Sequence, residues 1–505
     1  MTGGTKCSTI LGTRHWQTYV LNLSNNPIRC VFTQNSIISS KLFTKLFSKI
    51  PLALAPLLLL PYSLESQALS ATTSERIHGT EPYLTFDSGR TKAISFKDLL
   101  DIKLSDGTNI TPTTNTSSFS NPIVLPNDSD TFANVDMIVP PFINTVSLND
   151  LVITRNFWQD DDGDGNVTVK GDITLSITDK NNQTVNRNDT LDICNAPYKV
   201  ELSSTGGSLR TQYGVPDIST FTEGSAVYYI SPNLPPKICY AKPNLKYGTN
   251  SWTDFRGPAE MWDSDRGFIP QSIYPTSYNR NFPTTASNGL FFDLEIGGAN
   301  QLTWPTVTKG GITATMTNVS RFNVRVTLTG PTATETQQQA TNPSQLRKPT
   351  LPQSFELVGY DNSGSAVVKY GFELQKWLVN RGETRDTSFN TANWCNSLGY
   401  RLIKVNDVTN AICSGAGVSS IRWCQGSVAA TPPSVGDHYQ RRIGAGFFSE
   451  WGYMGDYPGT GFPYNDYYWT SDVAVGVGQF AVAPDIGHIG SYELPHLIYG
   501  LCITP

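Results

Sequence analysis

The sequence predicts a mainly β protein in which a β-sandwich region is followed by a disulfide-stapled α+β module. Short runs that alternate between apolar and polar residues are separated by glycine, asparagine and proline, as in antiparallel strands joined by turns. Charged residues make up only 16% of the 505-residue chain and aromatic residues make up 11%, which favours an exported β protein over a helical cytosolic enzyme. Six cysteines follow residue 70, an even set that indicates disulfides.

Residues 1–70 are predicted to be a secretory leader. Lys41, Lys45 and Lys49 precede the apolar run 52–60, and Ala68 and Ser70 place small residues before a cut at Ala71. The run is short and contains prolines, so we predict no transmembrane span in the mature chain. The residues before Lys41 indicate either an extended leader or a start codon further downstream, and a buried core helix is the alternative interpretation of the run.

Three regions are predicted after the leader. Residues 71–145 form an N-terminal β-rich or linker region, with a polar stretch at 106–130 that is typical of a loop. Residues 146–350 form the β-sandwich region, and alternating runs predict strands at 167–178, 311–317 and 322–329. The polar stretch 331–352 predicts a linker. Residues 351–505 form the final module, whose first strands are predicted near Phe355 and Val367.

The six cysteines after the leader are predicted to form disulfides. They allow many pairings, so the sequence leaves the connectivity open. Proximity along the chain suggests Cys194–Cys239 and Cys413–Cys424, which leaves the long pair Cys395–Cys502. Cys395 lies in a short predicted helix that leads into a strand, and Cys502 lies near the end of the chain. This placement predicts a module whose termini are stapled together, an architecture more typical of display and binding than of catalysis.

An acidic loop predicts a calcium site. Asp160, Asp162 and Asp164 have the spacing of the first three ligands of an EF-hand-type loop, Asn166 follows, and Gly165 lies at the turn. The glutamate expected at the twelfth position is replaced by Gly171. The site is therefore predicted to hold a structural Ca²⁺, with a solvated acidic turn as the alternative.

The predicted binding surface lies on the loop 446–466, which is rich in aromatic residues, glycine and asparagine. Rigid aromatic and small polar side chains provide contact area at low entropic cost. The predicted contacts are Trp451, Tyr453, Tyr457, Tyr464 and Asn465. A buried core role for Trp451 is the alternative, because tryptophans are usually largely buried. Trp469 and Phe480 are predicted to be core residues.

The sequence shows no catalytic constellation. It contains no GxSxG, HExxH or Walker pattern, and its histidines form no metal-spaced pair. Glu373, Glu450 and Asp456 could pair as carboxylates only through the fold. The net charge of −5 argues against nucleic acid as a partner. We therefore predict a protein that is not an enzyme and that carries no cofactor other than the calcium ion.

Three segments of the final module resemble bacterial C-type-lectin-like modules: Gly399–Leu402, Tyr468–Asp472 and Gly500–Cys502. The resemblance implies that a helix cysteine, Cys395, pairs with a last-strand cysteine, Cys502, and that an inner pair, Cys413 and Cys424, closes a loop. The Glu-Pro-Asn or Gln-Pro-Asp triplet of sugar-binding C-type lectins is absent from the sequence, so calcium-dependent sugar binding is not expected of this module.

A longer resemblance covers residues 147–505. The segments Leu191–Tyr198, Tyr213–Pro216, Gly310–Met316 and Ile443–Gly452 are similar to the enterobacterial adhesion domain. That domain occurs in outer-membrane adhesins of Salmonella-type intestinal colonisation islands, which are related to the intimin/invasin group. The resemblance implies Ig-like sandwich domains, export to the outer-membrane surface or beyond the cell, and binding of a host-cell surface protein, matrix component or glycan in virulence.

Two other functions remain open from the sequence. One is an enzyme on a lectin-like fold, such as a formylglycine-generating type, which needs reactive thiols. The other is a structural surface protein with no host ligand. Fold by itself does not distinguish these functions.

Overall fold

The computed structural model describes residues 78–246, 255–415, 418, 421–463, 466–476 and 478–505. The predicted leader, 1–70, lies outside these residues. The predicted mainly β class is confirmed. The buried apolar residues form two cores, one between Leu84 and Cys239 and a second between Ile238 and Ile503. We name three parts of the chain accordingly: the first module (78–236), the middle module (237–374) and the C-terminal module (375–505).

The first module is a β-sandwich. Strands β9, β10 and β13 alternate buried and solvent-facing residues, and their buried faces pack on β8, β11 and β12 in one core. The sheet orders are β4-β13-β10-β9-β6 and β12-β11-β8, with the smaller sheets β3-β2-β5 and β1-β7 beside them. The strands are Tyr83–Leu84 (β1), Ile102–Lys103 (β2), Asn109–Ile110 (β3), Ile123–Val124 (β4), Asp136–Met137 (β5), Thr145–Ser147 (β6), Trp158–Gln159 (β7), Thr168–Lys170 (β8), Asp172–Thr178 (β9), Tyr198–Ser204 (β10), Gly207–Arg210 (β11), Ile218–Phe221 (β12) and Gly224–Ser231 (β13). Helix α1 (Leu148–Arg155) begins at Ser147, whose side chain accepts a hydrogen bond from the Asn149 N–H.

The middle module packs a long antiparallel sheet against a hairpin. The sheet order is β15-β16-β14-β18-β21-β20-β19, and the hairpin β22-β23 contributes Phe355, Leu357, Tyr370 and Phe372 to the same core. The strands are Lys237–Lys242 (β14), Trp262–Asp263 (β15), Gly267–Phe268 (β16), Thr285–Ser287 (β17), Phe291–Gly297 (β18), Val307–Lys309 (β19), Ile312–Asn318 (β20), Asn323–Thr329 (β21), Gln353–Tyr360 (β22) and Ala366–Leu374 (β23). Helix α2 (Glu335–Gln339) follows β21.

The C-terminal module is an α+β unit built on the sheet β17-β24-β29-β26-β27-β28, to which β25 adds beside β29. Strand β17 comes from the middle module and pairs in parallel with β24, so the two modules share a sheet as well as a core. The strands are Lys376–Asp386 (β24), Arg401–Leu402 (β25), Tyr468–Ala474 (β26), Gly478–Val482 (β27), Ile489–Tyr492 (β28) and Ile498–Ile503 (β29). The helices are Ser388–Leu398 (α3), Val405–Val408 (α4) and Phe447–Trp451 (α5). Short 3-10 helices in the three modules are Lys97–Leu99, Phe132–Asn134, Ile193–Asn195, Pro275–Arg280, Ile421–Trp423 and Met454–Asp456.

The predicted strands 311–317 and 322–329 correspond to β20 and β21, whereas the predicted run 167–178 is divided at Gly171 into β8 and β9, which belong to different sheets. Two predicted boundaries fall inside a core. The pairing of β20 with β21 and the helix–strand step α3–β25 lie where the sequence placed them. The residues on either side of position 145 share the first core. The hairpin β22-β23, expected to open the final module, packs on the middle module. The stretch 331–352 is anchored to the C-terminal module, because Trp377 and Trp394 donate their indole N–H groups to the Pro331 and Gln337 carbonyls, although most of its residues are exposed.

Candidate functional site

The aromatic loop predicted to bind a partner is a buried joint between the middle and C-terminal modules. Trp451, Tyr453 and Tyr457 are exposed by only 0%, 1% and 3%. The Trp451 indole N–H donates to the Thr285 carbonyl at 2.8 Å, and its ring lies 4.9 Å from that of Phe282. These contacts bury the loop against strand β17 and its flanks.

The tyrosines of this loop are also engaged inside the joint. The Tyr457 hydroxyl donates to the Trp451 carbonyl at 2.9 Å and accepts from the Asn244 N–H at 2.9 Å. The Lys246 Nζ lies 3.9 Å from the centre of the Tyr453 ring. The prediction that Trp451, Tyr453 and Tyr457 form an exposed contact surface is therefore wrong. Tyr464 and Asn465 lie outside the described residues, and their predicted contact role stays a prediction.

Glu450 fixes the same joint by accepting hydrogen bonds from two residues of the middle module. Its carboxylate accepts from the N–H and hydroxyl groups of both Thr284 and Thr285 and from the Gly444 N–H, at 2.6 to 3.2 Å. Complete burial raises the pKa of Glu450, and these hydrogen bonds oppose the rise. Asp456 instead accepts from the Asn244 amide, and Glu373 from the Ser354 hydroxyl. Glu373, Glu450 and Asp456, the three candidates for a catalytic carboxylate pair, thus each have their own hydrogen-bond partners.

Arg441 completes the joint from the C-terminal side. It is fully buried and donates to the Glu450 and Asn244 carbonyls. Gly452 lies against it with a φ of +75°, and a Cβ at that position would come within 1.9 Å of the Arg441 Nη2. Both the backbone conformation and the close approach therefore require glycine here. The joint is a packed polar and aromatic core.

The acidic loop brings its three predicted carboxylates together. One oxygen from each of Asp160, Asp162 and Asp164 lies within 4.8 Å of the others. The loop follows β7 and is held by the N-terminal segment: the Thr80 N–H donates to the Asp162 Oδ2 at 3.0 Å, and the Thr80 hydroxyl donates to the Asp162 Oδ1 at 3.1 Å. The Asn166 Nδ2 donates to the Gln212 side chain at 3.0 Å, so its amide nitrogen is engaged away from the carboxylates.

The electrostatics of this loop fit a cation. Burial and the neighbouring Asp162 raise the pKa of Asp160, because two carboxylates held this close disfavour a second negative charge. One carboxylate oxygen of Asp160 and one of Asp164 are buried without a hydrogen-bond partner among the described residues. Calcium takes six to eight oxygen ligands, of which these aspartates would supply part. The sequence found this cluster because its alternate spacing is local.

All three cysteine pairs suggested by the sequence are formed. Cys194–Cys239, Cys395–Cys502 and Cys413–Cys424 have Cα–Cα distances of 5.7, 5.5 and 5.3 Å. Cys395 on α3 is joined to Cys502 on β29, so the pair ties the helix to the central strand of the C-terminal sheet. None of these six cysteines offers the reactive thiol that a formylglycine-type enzyme needs.

An exposed apolar tip lies at the β26–β27 hairpin of the C-terminal module. We define the tip as Trp423, Val473 and Val475, whose exposed fractions are 44%, 73% and 80%. Val475 lies in the β26–β27 hairpin. It is close to the turn that follows the Cys413–Cys424 disulfide, since a Cβ placed on Gly426 would lie 3.7 Å from the Val475 Cγ2. The Arg422 guanidinium lies 5.5 Å from the Trp423 ring. Sequence analysis missed this tip, because an isolated tryptophan in a short cysteine loop carries no pattern.

Trp469 and Phe480, predicted to be core residues, are buried at 0% and 1% exposure. The Trp469 indole N–H donates to the Asp386 carbonyl at 2.9 Å. This agrees with their predicted role in the stapled module and removes them from the candidate binding surface. Among the described residues, no helix is long and apolar enough to cross a membrane.

Comparison with solved structures gives resemblances of low similarity. Invasin, a bacterial integrin-binding protein, matches with 13% identity and a TM-score of 0.31 over 67% of this chain and 51% of its own. The C-terminal 282-residue fragment of intimin, solved in complex with the intimin-binding domain of the translocated intimin receptor, matches with 12% identity and a TM-score of 0.30 over 68% of this chain and 94% of its own.

The chain thus spans about half of the invasin chain that it matches. No protein-family model matches the chain, and no curated protein matches it.

Proposed function

We propose that this protein is an exported bacterial adhesin that recognises a host-cell surface protein, matrix component or glycan through its C-terminal module. The observation that carries the proposal is the exposed apolar tip at Trp423, Val473 and Val475. Tryptophan and arginine are enriched among the residues that dominate the energy of protein interfaces. Here Arg422 lies beside the exposed ring of Trp423.

The architecture supports display of this tip. The middle and C-terminal modules share a core and a sheet, so the C-terminal module is held rigidly on what precedes it. A rigid support lowers the entropic cost of binding, because fewer groups must be ordered when the partner docks. The three disulfides support export, since such bonds persist in oxidising compartments. Within that proposal, the location is the outer-membrane surface or the extracellular space.

Attachment tests the proposal directly. The full chain and its variants Trp423→Ala and Val475→Ser would be labelled and measured for attachment to cultured epithelial cells and to extracellular matrix. We expect each substitution to weaken attachment on the order of tenfold, as for a central anchor residue. Phe142→Ala is the matched control, because Phe142 is 91% exposed in the first module. Full attachment by the two tip variants would place the contact elsewhere, and no attachment by the unaltered chain would favour a structural surface protein.

We further propose that the loop at Asp160, Asp162 and Asp164 holds a structural calcium ion. The ion would neutralise the carboxylates that lie within 4.8 Å of one another and would tie the loop to the N-terminal segment through Thr80. Its effect is on the stability of the first module, and the loop is not part of the proposed contact surface. This second proposal rests on the carboxylate geometry and on the buried oxygens of Asp160 and Asp164 that have no hydrogen-bond partner among the described residues.

A further inference from the structure

A small cavity lies at the contact between the first and middle modules. Its volume is about 230 Å³. The walls come from the loop 119–122 and Pro197 on one side, and from residues 298–300 and 321–322 on the other. Binding sites for drug-sized molecules have volumes of roughly 300 to 1,000 Å³, so this cavity is suited to a smaller ligand.

The cavity is positively charged. Arg321 is the one ionisable residue among the described residues that line it. The Arg321 Nη2 donates to the Asn300 side chain, and the Arg321 Nε has no hydrogen-bond partner among the described residues. Partial burial lowers the pKa of Arg321, and no carboxylate among the described residues forms an ion pair with its guanidinium. The Arg321 side chain is only partly buried, so a guanidinium without an acidic partner among the described residues can pair with an anion that enters the cavity.

The remaining walls of the cavity match a ring that carries hydroxyl groups. Phe119 and Phe322 form an aromatic edge, with ring centres 5.6 Å apart, and both line the cavity. Ser120, Asn121 and Asn300 add hydroxyl and amide groups. Aromatic rings pack on the apolar face of a ring, while amides and hydroxyls fix its orientation by hydrogen bonds.

We propose that this cavity binds an acidic monosaccharide, with its carboxylate paired to Arg321 and its ring packed beside Phe119 and Phe322. The planar guanidinium matches a carboxylate through two parallel hydrogen bonds, a geometry that a simple ammonium group does not offer. The site lies away from the tip of the C-terminal module, so its occupancy does not depend on the proposed adhesin contact.

The test uses the full chain with glucuronate, glucose and inorganic phosphate as probes, by saturation-transfer NMR and titration calorimetry. We expect millimolar binding of glucuronate, no detectable binding of glucose, and weaker binding of phosphate than of glucuronate. Arg321→Gln should weaken glucuronate binding on the order of tenfold or more, as expected for loss of a charge-assisted pair. Arg347→Gln, a change at an exposed arginine outside the cavity, should leave binding unchanged.

Two controls keep the result interpretable. Thermal unfolding shows whether Arg321→Gln is folded, and Arg321→Lys keeps the charge but removes the planar fork, so it should bind glucuronate with intermediate affinity. Equal binding of glucuronate by the unaltered chain and Arg321→Gln would overturn the proposal. Equal affinity for glucose and glucuronate, binding of phosphate alone, or no binding at all would overturn it as well.

Discussion

Glu450 and Thr285 connect the C-terminal module to the middle module. The Glu450 carboxylate accepts hydrogen bonds from the Thr285 N–H at 3.0 Å and from the Thr285 hydroxyl at 2.6 Å, and all of these groups are buried. This pair explains why a segment that is composed like a binding loop is part of the interior. The Glu450 carboxylate and the aromatic rings around it hold the middle and C-terminal modules together.

Glu450→Gln should destabilise the protein strongly. The amide that replaces one carboxylate oxygen points its own N–H groups at the donors of Thr284, Thr285 or Gly444. Each buried donor left without an acceptor costs about 1 to 3 kcal/mol, so we expect a loss on the order of 3 kcal/mol or more in the free energy of unfolding. Chemical denaturation measures this loss in the free energy of unfolding. Glu260→Gln, at an exposed glutamate, is the matched control, and an equally small effect of both changes would contradict the role of Glu450.

Tyr457→Phe should lower stability and leave attachment unchanged. The substitution keeps the ring but removes the hydroxyl that joins Asn244 to Trp451. Loss of that bridge leaves one buried donor and one buried acceptor unpaired, at a cost of about 1 to 3 kcal/mol. Thermal unfolding measures the loss, and the attachment assay above supplies the second readout. A stable variant with reduced attachment would restore Tyr457 to the contact surface.

Calcium should raise the melting temperature of the unaltered chain. An ion that binds the folded state alone stabilises it by mass action, with the effect growing with the logarithm of its concentration. The variant with Asn at positions 160, 162 and 164 keeps the side-chain shape and removes the charge, so it should show no calcium-dependent rise. Magnesium at equal concentration is the ionic-strength control. If calorimetry finds no shift in the unaltered chain at millimolar calcium, the carboxylates form a solvated turn.

The Cys395–Cys502 disulfide should contribute more stability than the Cys413–Cys424 disulfide. The two close loops of 107 and 11 residues. Chain entropy then suggests about 5 and about 3 kcal/mol, since the longer loop restricts the unfolded chain more. Comparing the double alanine variants of each pair by denaturation under oxidising conditions tests this order. A larger loss of stability in the Cys413–Cys424 variant would contradict this order.

Asp87 should stabilise the first module at neutral pH, and this stabilisation should be lost in acid. Hydrogen bonds from the Thr91 N–H and hydroxyl, and from the Thr85 hydroxyl, lower the pKa of Asp87 to about 2. A folded-state pKa below the unfolded value gives stability that is present above about pH 4 and lost as the pH falls toward 2. Asp87→Asn should therefore be less stable than the unaltered chain at neutral pH, with the difference shrinking below about pH 4. Asp98→Asn is the control, and urea unfolding across this pH range is the measurement.

The predictions that succeeded depend on local patterns. The alternation of β20 and β21 and the helix–strand step at α3 and β25 are each contained within a few residues of chain. The grouping of the Asp160, Asp162 and Asp164 carboxylates is equally local, and the calcium ion expected there stays a prediction. Side-chain direction in a strand and ligand spacing in a short loop follow from the backbone nearby, so a single sequence is enough to identify them.

The prediction that Trp451, Tyr453 and Tyr457 form a contact surface was wrong because the burial of a side chain is not determined by its neighbours in the sequence. Trp451 and Tyr457 have the composition of a binding loop, but their partners Thr285 and Asn244 lie 166 and 213 residues away along the chain. The cavity at Arg321 depends on the same kind of meeting, between Phe119 and Phe322 of different modules. The sequence by itself determined the β class, the acidic cluster and the cysteine set. Only the tertiary structure decided which aromatic residues are covered, because their burial is set by the packing of distant strands.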